Sequence, residues 1–172
     1  MDRRLLAAVF IIGILSGAII TVAYYKTKGS MVQVYFSPDG GCEQVITHYI
    51  SHARSSIHIL MFSFTLDSIV DALIASHRRG VEVKVVLETE QILSDIYWKL
   101  KNAGIEVRND TNPSFMHDKI AIIDGEIVLT GSYNWTKTAE HANNENLVVI
   151  RDVGIAARYE MEFQRIWRQS AG

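Results

Sequence analysis

The stretch FMHDKIAIIDGEIVLTGSYNW, residues 115–135, decides the fold of this chain. Apolar residues recur across residues 119–123 and again across residues 127–129, which predicts two β-strands. Between them lies Asp124-Gly125, a dipeptide typical of a tight hairpin turn. The stretch is therefore predicted to be a β-hairpin whose open end carries polar side chains.

These polar side chains are predicted to converge. His117 and Lys119 are two positions apart, so on an extended strand both side chains emerge on one face. Ser132 and Asn134 follow the second strand, which returns the chain to the same end of the hairpin. The hairpin therefore gathers an imidazole, an ammonium, a hydroxyl and an amide.

Strand and helix signals alternate through the rest of the chain. Gly80 and Gly104 each stand where a predicted helix ends. Repeated strand–helix alternation predicts an α/β domain over residues 29–172, with a mixed, mostly parallel central β-sheet flanked by helices on both faces. The predicted strands lie at 31–36, 57–64, 81–87, 105–108 and 147–150, and the predicted helices at 42–54, 67–79, 90–103 and after Asp152.

Composition limits the partners and cofactors of this domain. The 172 residues carry a net charge of −2, and 48% of them are hydrophobic, which is enough for one domain with a real core. Because there is no global basic field, nucleic acid would have to bind in a local groove. Cys42 is the single cysteine, and His48 and His52 have no carboxylate at a complementary spacing, so no metal and no other cofactor is predicted.

The N-terminal part of the chain has a different character. Residues 5–23 contain no charge, and a helix of this length spans about 28 Å, close to the thickness of a bilayer's hydrocarbon core. We interpret residues 1–28 as a single-pass membrane anchor with a linker. The orientation is only weakly determined, because Lys26 and Lys28 on one side nearly match Arg3 and Arg4 on the other. The arrangement at the N-terminus favours a domain that lies outside the cytosol. The alternative is a cleaved signal peptide, which would leave a secreted or periplasmic domain.

The spacing of the polar residues in the hairpin resembles a known signature. The order His-x-Lys, four residues, Asp, six residues, Gly-Ser-x-Asn is that of the phospholipase D superfamily. The resemblance runs over residues 32–167 and is closest to the small members with one motif, the bacterial Nuc-type endonucleases and the mitochondrial cardiolipin hydrolases (Zucchini). The residues that carry it are His117, Lys119, Asp124, Gly131, Ser132 and Asn134.

The residues themselves favour catalysis by an imidazole. The hairpin offers a histidine and a lysine rather than a cluster of carboxylates, so nucleophilic attack by the histidine is the economical mechanism for cleaving a phosphodiester. The resemblance implies that His117 attacks phosphorus to give a phosphohistidine, which water then hydrolyses. It also implies that Lys119 and Asn134 hold the phosphate oxygens. Ser132 is expected to bind the substrate through a hydrogen bond to phosphate, or else to hydrogen-bond the neighbouring loop.

Two acidic residues complete the predicted site. A nucleophilic histidine needs an acceptor on its other ring nitrogen, because that hydrogen bond fixes the tautomer. The resemblance assigns this role to Glu145, in the stretch Asn144-Glu145-Asn146. Asp124 fills the acidic position of the motif and is included among the catalytic candidates, although its place in the turn favours a structural role.

The motif occurs once, whereas the mechanism needs a second histidine as general acid. In the family that this chain resembles, longer members carry two copies of the motif and so contain both histidines. We therefore expect a C2 homodimer in which two His117 side chains surround one phosphate.

The sequence leaves the substrate open between nucleic acid and lipid. A nuclease acting on DNA or RNA is favoured by the single motif and the context of Glu145. A phospholipid hydrolase is favoured by the predicted anchor and by Phe115, Met116, Tyr133 and Trp135, which could contact acyl chains. The aromatic side chains among them could equally stack on bases, and core packing is the expected role of Tyr133 and Trp135. A third hypothesis is a non-catalytic phosphate-binding scaffold, which the complete motif disfavours.

Overall fold

The computed structural model describes residues 31–91 and 94–172. The proposed membrane segment, residues 5–23, lies outside the described residues. Within the described ranges, every helix falls short of the length and apolar character that a bilayer crossing needs. The elements in chain order are β1 (Met31–Ser37), α1 (Cys42–Ser51), β2 (Ser56–Met61), α2 (Asp67–Arg78), β3 (Glu82–Leu87), α3 (Asp95–Asn102), β4 (Glu106–Asn109), β5 (Lys119–Ile123), β6 (Ile127–Gly131), α4 (Lys137–His141), β7 (Glu145–Arg151) and α5 (Val153–Gln169).

These strands form one sheet in the order β1-β7-β6-β5-β2-β3-β4. A mixed sheet is confirmed, but the expected predominance of parallel pairing is wrong. Pairs β2-β3 and β3-β4 are parallel, whereas the four other pairs are antiparallel. The prediction treated every strand–helix–strand unit as a parallel crossover between neighbours. In the structure, the hairpin β5–β6 and the returning strand β7 lie between β1 and β2 and reverse the pairing there.

Helices cover both faces of the sheet, as expected. On one face, α1, α2 and α3 bury apolar side chains such as Ile46, Leu73 and Leu100. On the opposite face, α5 lies over β2, β5 and β6 and buries Phe163 and Ile166. Each such side chain contributes roughly 1.5–3 kcal/mol when it is fully buried. The apolar stripe of each helix is therefore what attaches it to the sheet.

Helix α3 begins later than its periodicity predicts. The sequence predicts a helix over residues 90–103, whereas the structure has a short 3₁₀ turn at Thr89–Gln91 and begins α3 at Asp95. The hydroxyl of Ser94 accepts a hydrogen bond from Tyr97 N at 3.2 Å. This side-chain cap satisfies a free N–H of the first turn and so fixes where the helix starts.

The hairpin turn forms as predicted. Asp124 and Gly125 have positive φ angles of 55° and 62°, as a two-residue type I′ turn requires. The carboxylate of Asp124 accepts hydrogen bonds from the backbone N–H groups of Arg54, Ser55 and Ser56 at 2.8–3.1 Å. Burial opposes ionisation of Asp124, but these hydrogen bonds outweigh it and hold its pKa below the usual value. The turn is thereby fastened to the loop that leads into β2.

His58 lies between two carboxylates beneath α5. Its Nδ1 is 2.9 Å from Glu160 and its Nε2 is 3.0 Å from Glu82, while its ring stacks on Phe163 with a centroid distance of 4.6 Å. Burial by itself lowers the pKa of His58, but the hydrogen bonds to Glu160 and Glu82 raise it above the ordinary value. Lys84, 3.0 Å from Glu82, is the neighbouring cation. His58 therefore binds its proton more tightly in the folded state than in the unfolded state.

We expect the free energy of unfolding to fall as the pH rises from about 6.5 through the raised pKa of His58. Below this range the imidazolium is present in both states, so its interactions with Glu160 and Glu82 contribute fully. Urea denaturation at a series of pH values between about 6 and 9 measures the effect. A His58→Gln protein should lose most of this pH dependence, and equal slopes in both proteins would contradict the assignment.

Candidate active site

The candidate site lies along one edge of the sheet. β2, β3 and β6 end at this edge, and β5 and β7 begin there. Antiparallel pairing of β5 with β2 sets Lys119 opposite Met61. The β5–β6 register, continued by two residues, sets Gly131 opposite Lys119. The sheet therefore brings segments from five different strands to one place.

His117 is held from both sides by backbone hydrogen bonds. Met116 N donates to Glu88 Oε2 at 2.7 Å, and Phe62 N donates to Asp118 O at 3.0 Å. The exposed imidazole of His117 lies against the ring of Phe62, with centroids 4.3 Å apart. The irregular segment before β5 thus presents the histidine to solvent from a fixed position.

Lys119 is buried beside His117, as the spacing predicts. Its Nζ donates to His117 O at 2.8 Å and lies 3.1 Å from His117 Nδ1. The same Nζ lies 4.7 Å from the ring centroid of Phe62, a cation–π contact. Burial lowers the pKa of Lys119 below the usual value, and the charges of Asp118 and Glu145 partly counter this. Among the described residues, His117 Nε2 has no protein partner and is available to a substrate.

The loop after β6 packs closely against its neighbours. Gly131 has a φ of 142°, and a Cβ at this position would lie 2.2 Å from the carbonyl oxygen of Asn146. Trp135 N donates to Ser63 O at 3.0 Å, which joins the loop to the segment after β2. Tyr133 and Trp135 are almost fully buried, so their expected role in the core is confirmed. The loop is therefore fixed on two sides.

Asn134, within this loop, has unused hydrogen-bonding capacity. Its Oδ1 is buried and has no hydrogen-bond partner in the part of the chain that the structure describes. Leaving such a group unpaired costs about 1–3 kcal/mol, so the position is suited to completion by a ligand. Contact of Asn134 with a phosphate stays a prediction.

Ser132 and Glu145 form a hydrogen-bonded pair at the start of β7. Ser132 Oγ donates to Glu145 Oε2 at 2.5 Å, and Asn143 Nδ2 donates to Glu145 Oε1 at 3.2 Å. The carboxylate is therefore directed to Ser132 and Asn143 rather than to His117 in this structure. Its charge is nevertheless near enough to counter part of the effect of burial, which lowers the pKa of Lys119.

Asp124 lies away from this cluster. Lys119 begins β5 and Asp124 follows its last residue, so roughly 17 Å of extended strand separates them. The carboxylate of Asp124 is occupied by backbone N–H groups at the opposite edge of the sheet. The structure thus gives Asp124 the role in the turn and places it outside the group formed by the other candidates.

A cavity of about 770 Å³ opens beside His117. The loop before β5 and the last turns of α5 line it, with Asp118, Glu162 and Arg165 among the lining residues. Burial raises the pKa of Asp118 above its usual value, and the charge of Glu162 adds to this effect. Arg165 pairs with Glu162 at 2.6 Å. The cavity gives a substrate access to the imidazole from the side of α5.

Two residues of the site lie outside the predicted set. Phe62 contacts both the His117 ring and the Lys119 ammonium, and Glu88 binds the backbone next to His117. Neither belongs to the motif, and both reach the site from strands that are distant in sequence. The sequence does offer one indication of the role of Glu88. This carboxylate directly follows the apolar strand β3, and a charge at the end of a buried strand requires a partner.

We expect Glu88→Ala to lower kcat by about 100-fold with little change in KM, because a shift of about 1 Å in a catalytic group costs this much. Glu88 is 3% exposed, and its loss frees the N–H of Met116 and with it the position of His117. Steady-state kinetics on a phosphodiester substrate measures the effect. Glu88→Gln keeps an oxygen acceptor and should restore most of kcat. If both variants lose activity equally, Glu88 does not position His117.

Known proteins with similar sequences share the family that the motif around His117 and Lys119 indicates. Residues 46–167 match the family model described as Cardiolipin synthase, PLD-like domain. A mitochondrial cardiolipin hydrolase from Xenopus laevis is 37% identical over 160 residues, covering 86% of this chain and 76% of the relative. A phospholipase D from Rickettsia bellii is 38% identical over 133 residues, covering 76% of this chain and 66% of the relative.

Solved structures show the same similarity. Nuc from Salmonella typhimurium, a phospholipase D family member, has a TM-score of 0.77 and 36% identity, covering 82% of this chain and 96% of that one. NucT from Helicobacter pylori also has a TM-score of 0.77, with 25% identity and coverage of 83% of this chain and 99% of that one.

Proposed function

Since this chain belongs to the phospholipase D-like family and is a phosphodiester hydrolase, we propose that it acts without a metal through a phosphohistidine on His117. The observation that carries this proposal is the contact between the exposed His117 imidazole and the buried Lys119 ammonium. A nucleophile beside a fixed positive charge is the pairing that attack on an anionic phosphodiester requires.

The proposed reaction has two displacements at phosphorus. His117 Nε2 attacks, a P–N bond forms, and the P–O bond to the leaving group breaks as a second imidazolium donates its proton to the leaving oxygen. That second imidazole, now neutral, takes a proton from water, which attacks phosphorus and breaks the P–N bond. Lys119 and Asn134 bind the phosphate oxygens throughout, and the pair is returned to its starting protonation state.

We assign Glu145 to the orientation of His117 in the substrate complex. Attack by Nε2 requires the proton on Nδ1, and that N–H needs an acceptor. In the structure, Lys119 Nζ occupies Nδ1 and Glu145 binds Ser132. A bound phosphate attracts the Lys119 ammonium and the Ser132 hydroxyl, which releases both the ring nitrogen and the carboxylate for each other.

The second imidazole is proposed to come from a twin subunit. The chain carries one motif, so a C2 homodimer that places both His117 side chains at one phosphate supplies a nucleophile and an acid from the same residue. Activity should then depend on the dimer concentration.

We propose nucleic acid as the substrate, with endonucleolytic cleavage of DNA or RNA. Phe115 is 59% exposed beside the nucleophile and makes an edge contact with Phe62, whose ring in turn supports His117. An exposed aromatic ring next to the scissile phosphate is suited to stacking on a base, which contributes about 1–3 kcal/mol per base. Phe115 therefore supports a substrate that carries bases.

A phospholipid such as cardiolipin is the second candidate. It is favoured by the similarity to mitochondrial cardiolipin hydrolases and by the apolar residues 5–23. We propose that these residues form a single-pass anchor that holds the catalytic domain outside the cytosol. A diester in the membrane would then lie within reach of His117.

The substrate is identified by offering the purified chain labelled single-stranded DNA, double-stranded DNA, RNA and cardiolipin vesicles in the presence of EDTA. Cleavage of the nucleic acids supports the nuclease, and hydrolysis confined to the vesicles supports the lipid enzyme. In parallel assays without EDTA, activity that appears there and is lost in EDTA would refute the metal-free mechanism. Failure on every substrate both with and without EDTA would favour a phosphate-binding scaffold.

A further inference from the structure

The ring of Phe62 lies inside the candidate site, although it belongs to no motif. Phe62 follows the last residue of β2, and its N–H donates to Asp118 O at 3.0 Å, which continues the pairing of β2 with β5 beyond Lys119. The half-buried ring lies 4.3 Å from the His117 imidazole between centroids, and Lys119 Nζ is 4.7 Å from its centroid. Backbone pairing therefore fixes this ring against both groups that the proposed reaction uses.

The Lys119 ammonium is buried without a countercharge. Lys119 is 8% exposed, and its Nζ contacts His117 O at 2.8 Å, His117 Nδ1 at 3.1 Å and the face of Phe62. No carboxylate forms an ion pair with this ammonium in the part of the chain that the structure describes. A buried ammonium in such surroundings loses its proton unless a neighbouring group favours the charged form.

The acidic neighbours of Lys119 give only part of this support. Asp118 precedes Lys119 in the chain and Glu145 begins β7, and both favour the ammonium through their charges without direct contact. Glu88, at the end of β3, directs a carboxylate oxygen to Met116 N at 2.7 Å. The aromatic ring is therefore the neighbour that contacts the ammonium and favours its charge.

An aromatic face suits this position better than an aliphatic or an acidic side chain. A ring face attracts a cation within about 6 Å of its centroid, and the 4.7 Å distance to Lys119 Nζ lies inside this range. An aliphatic side chain would bury the ammonium without any such attraction. A carboxylate would stabilise the ammonium, but it would also neutralise the charge and repel an anionic phosphodiester. Phe62 stabilises the positive charge and leaves it available to the substrate.

We propose that Phe62 is a positioning residue for hydrolysis, whose π face keeps Lys119 charged and in place and so sets the upper pH limit of the reaction. The inference rests on the proposed function, in which the Lys119 charge binds the phosphate. Burial lowers the pKa of Lys119, and the cation–π contact opposes this effect. Without the contact, the ammonium loses its proton at a lower pH, and the alkaline limb of the activity moves in the same direction.

The test replaces Phe62 in the full-length chain by a trifluorinated phenylalanine, which keeps the shape of the ring but removes most of the negative charge from its face. Carbon-13 NMR of labelled lysine side chains follows the titration of Lys119, whose signal is assigned by its absence from Lys119→Arg. We expect the midpoint of this titration to fall by about 0.5–1 pH unit. The alkaline limb of kcat/KM should move equally, which lowers the rate about 3- to 10-fold above the limb and leaves it nearly unchanged below.

Two further variants separate the π face from the packing around it. Phe62→Tyr keeps an aromatic face and should retain the wild-type midpoint and pH profile. Phe115→Leu removes a neighbouring ring, which packs on Phe62 with centroids 5.8 Å apart and makes no cation–π contact with a described residue. This variant should leave the midpoint of Lys119 unchanged, so it reports the effect of altered packing alone.

An unchanged Lys119 midpoint in the fluorinated protein would overturn the proposal, as would an equal fall in Phe115→Leu. A rate that falls by one factor at every pH, with the midpoint unchanged, would show that Phe62 acts through packing alone and would also overturn it. A lowered midpoint in a chain that cleaves no diester supports the action of Phe62 on Lys119 and refutes the proposed function.

Discussion

Replacement of His117 by Asn should abolish hydrolysis, with a loss of at least about 10⁴-fold in kcat/KM, because the proposed mechanism places the covalent intermediate on His117. The imidazole is exposed and held by its backbone neighbours, so the substitution should leave the melting temperature almost unchanged. Rates on the preferred substrate in EDTA, at one fixed protein concentration for both proteins, measure the effect. More than about 1% residual activity would show that another group is the nucleophile.

His52→Asn is the matched control for this experiment. His52 is another exposed histidine, at the end of α1 and two residues from Arg54, which binds Asp124 at the opposite edge of the sheet. Its replacement should leave both rate and stability unchanged. A second measurement tests the intermediate itself: a substrate labelled at phosphorus, quenched in alkali during turnover, should leave label on the wild-type protein and none on His117→Asn.

Gly131→Ala should remove activity and destabilise the fold by about 3 kcal/mol or more, the upper end of the range for overpacked positions. An added Cβ meets the carbonyl oxygen of Asn146 at 2.2 Å and its side-chain oxygen at 2.8 Å, so β6 and β7 must separate where the site begins. The φ of 142° adds strain for any residue with a side chain. Chemical denaturation measures the stability, and the hydrolysis rate reports the displacement of Asn134.

Gly125→Ala separates the cost of the close approach to Asn146 from the cost of backbone strain at a positive φ. Gly125 also has a positive φ, 62°, but a Cβ added there would meet no atom within 4 Å, so the substitution tests backbone strain alone. It should cost about 1 kcal/mol and leave the rate of the folded protein intact. Equal losses in Gly125→Ala and Gly131→Ala would show that the close approach to Asn146 is unimportant.

The hairpin could be predicted from the sequence because its determinants are local. Alternation defines two strands, Asp124-Gly125 defines the turn, and a spacing of two residues sets His117 and Lys119 on one face. The structure has all three features, including the 3.1 Å contact between Lys119 Nζ and His117 Nδ1.

The order of the strands could not be predicted in the same way. Local periodicity shows that a strand exists, but which neighbour it pairs with depends on the burial of the whole sheet. The same limit applies to Glu88 and Phe62, which reach the site from the ends of β3 and β2. The hydrogen-bond partner of Glu145 could not be predicted either, because the 2.5 Å contact with Ser132 depends on how β6 and β7 pair.

The strand order has a consequence for the synthesis of this protein. Among the strands of the described residues, β7 is made last, yet it lies between β1, which is made first, and β6. A nascent chain that has already displayed His117 and Lys119 still lacks Glu145 and the wall against which the loop after β6 is packed. The candidate site is therefore complete only after β7 has left the ribosome and paired with β6 and β1.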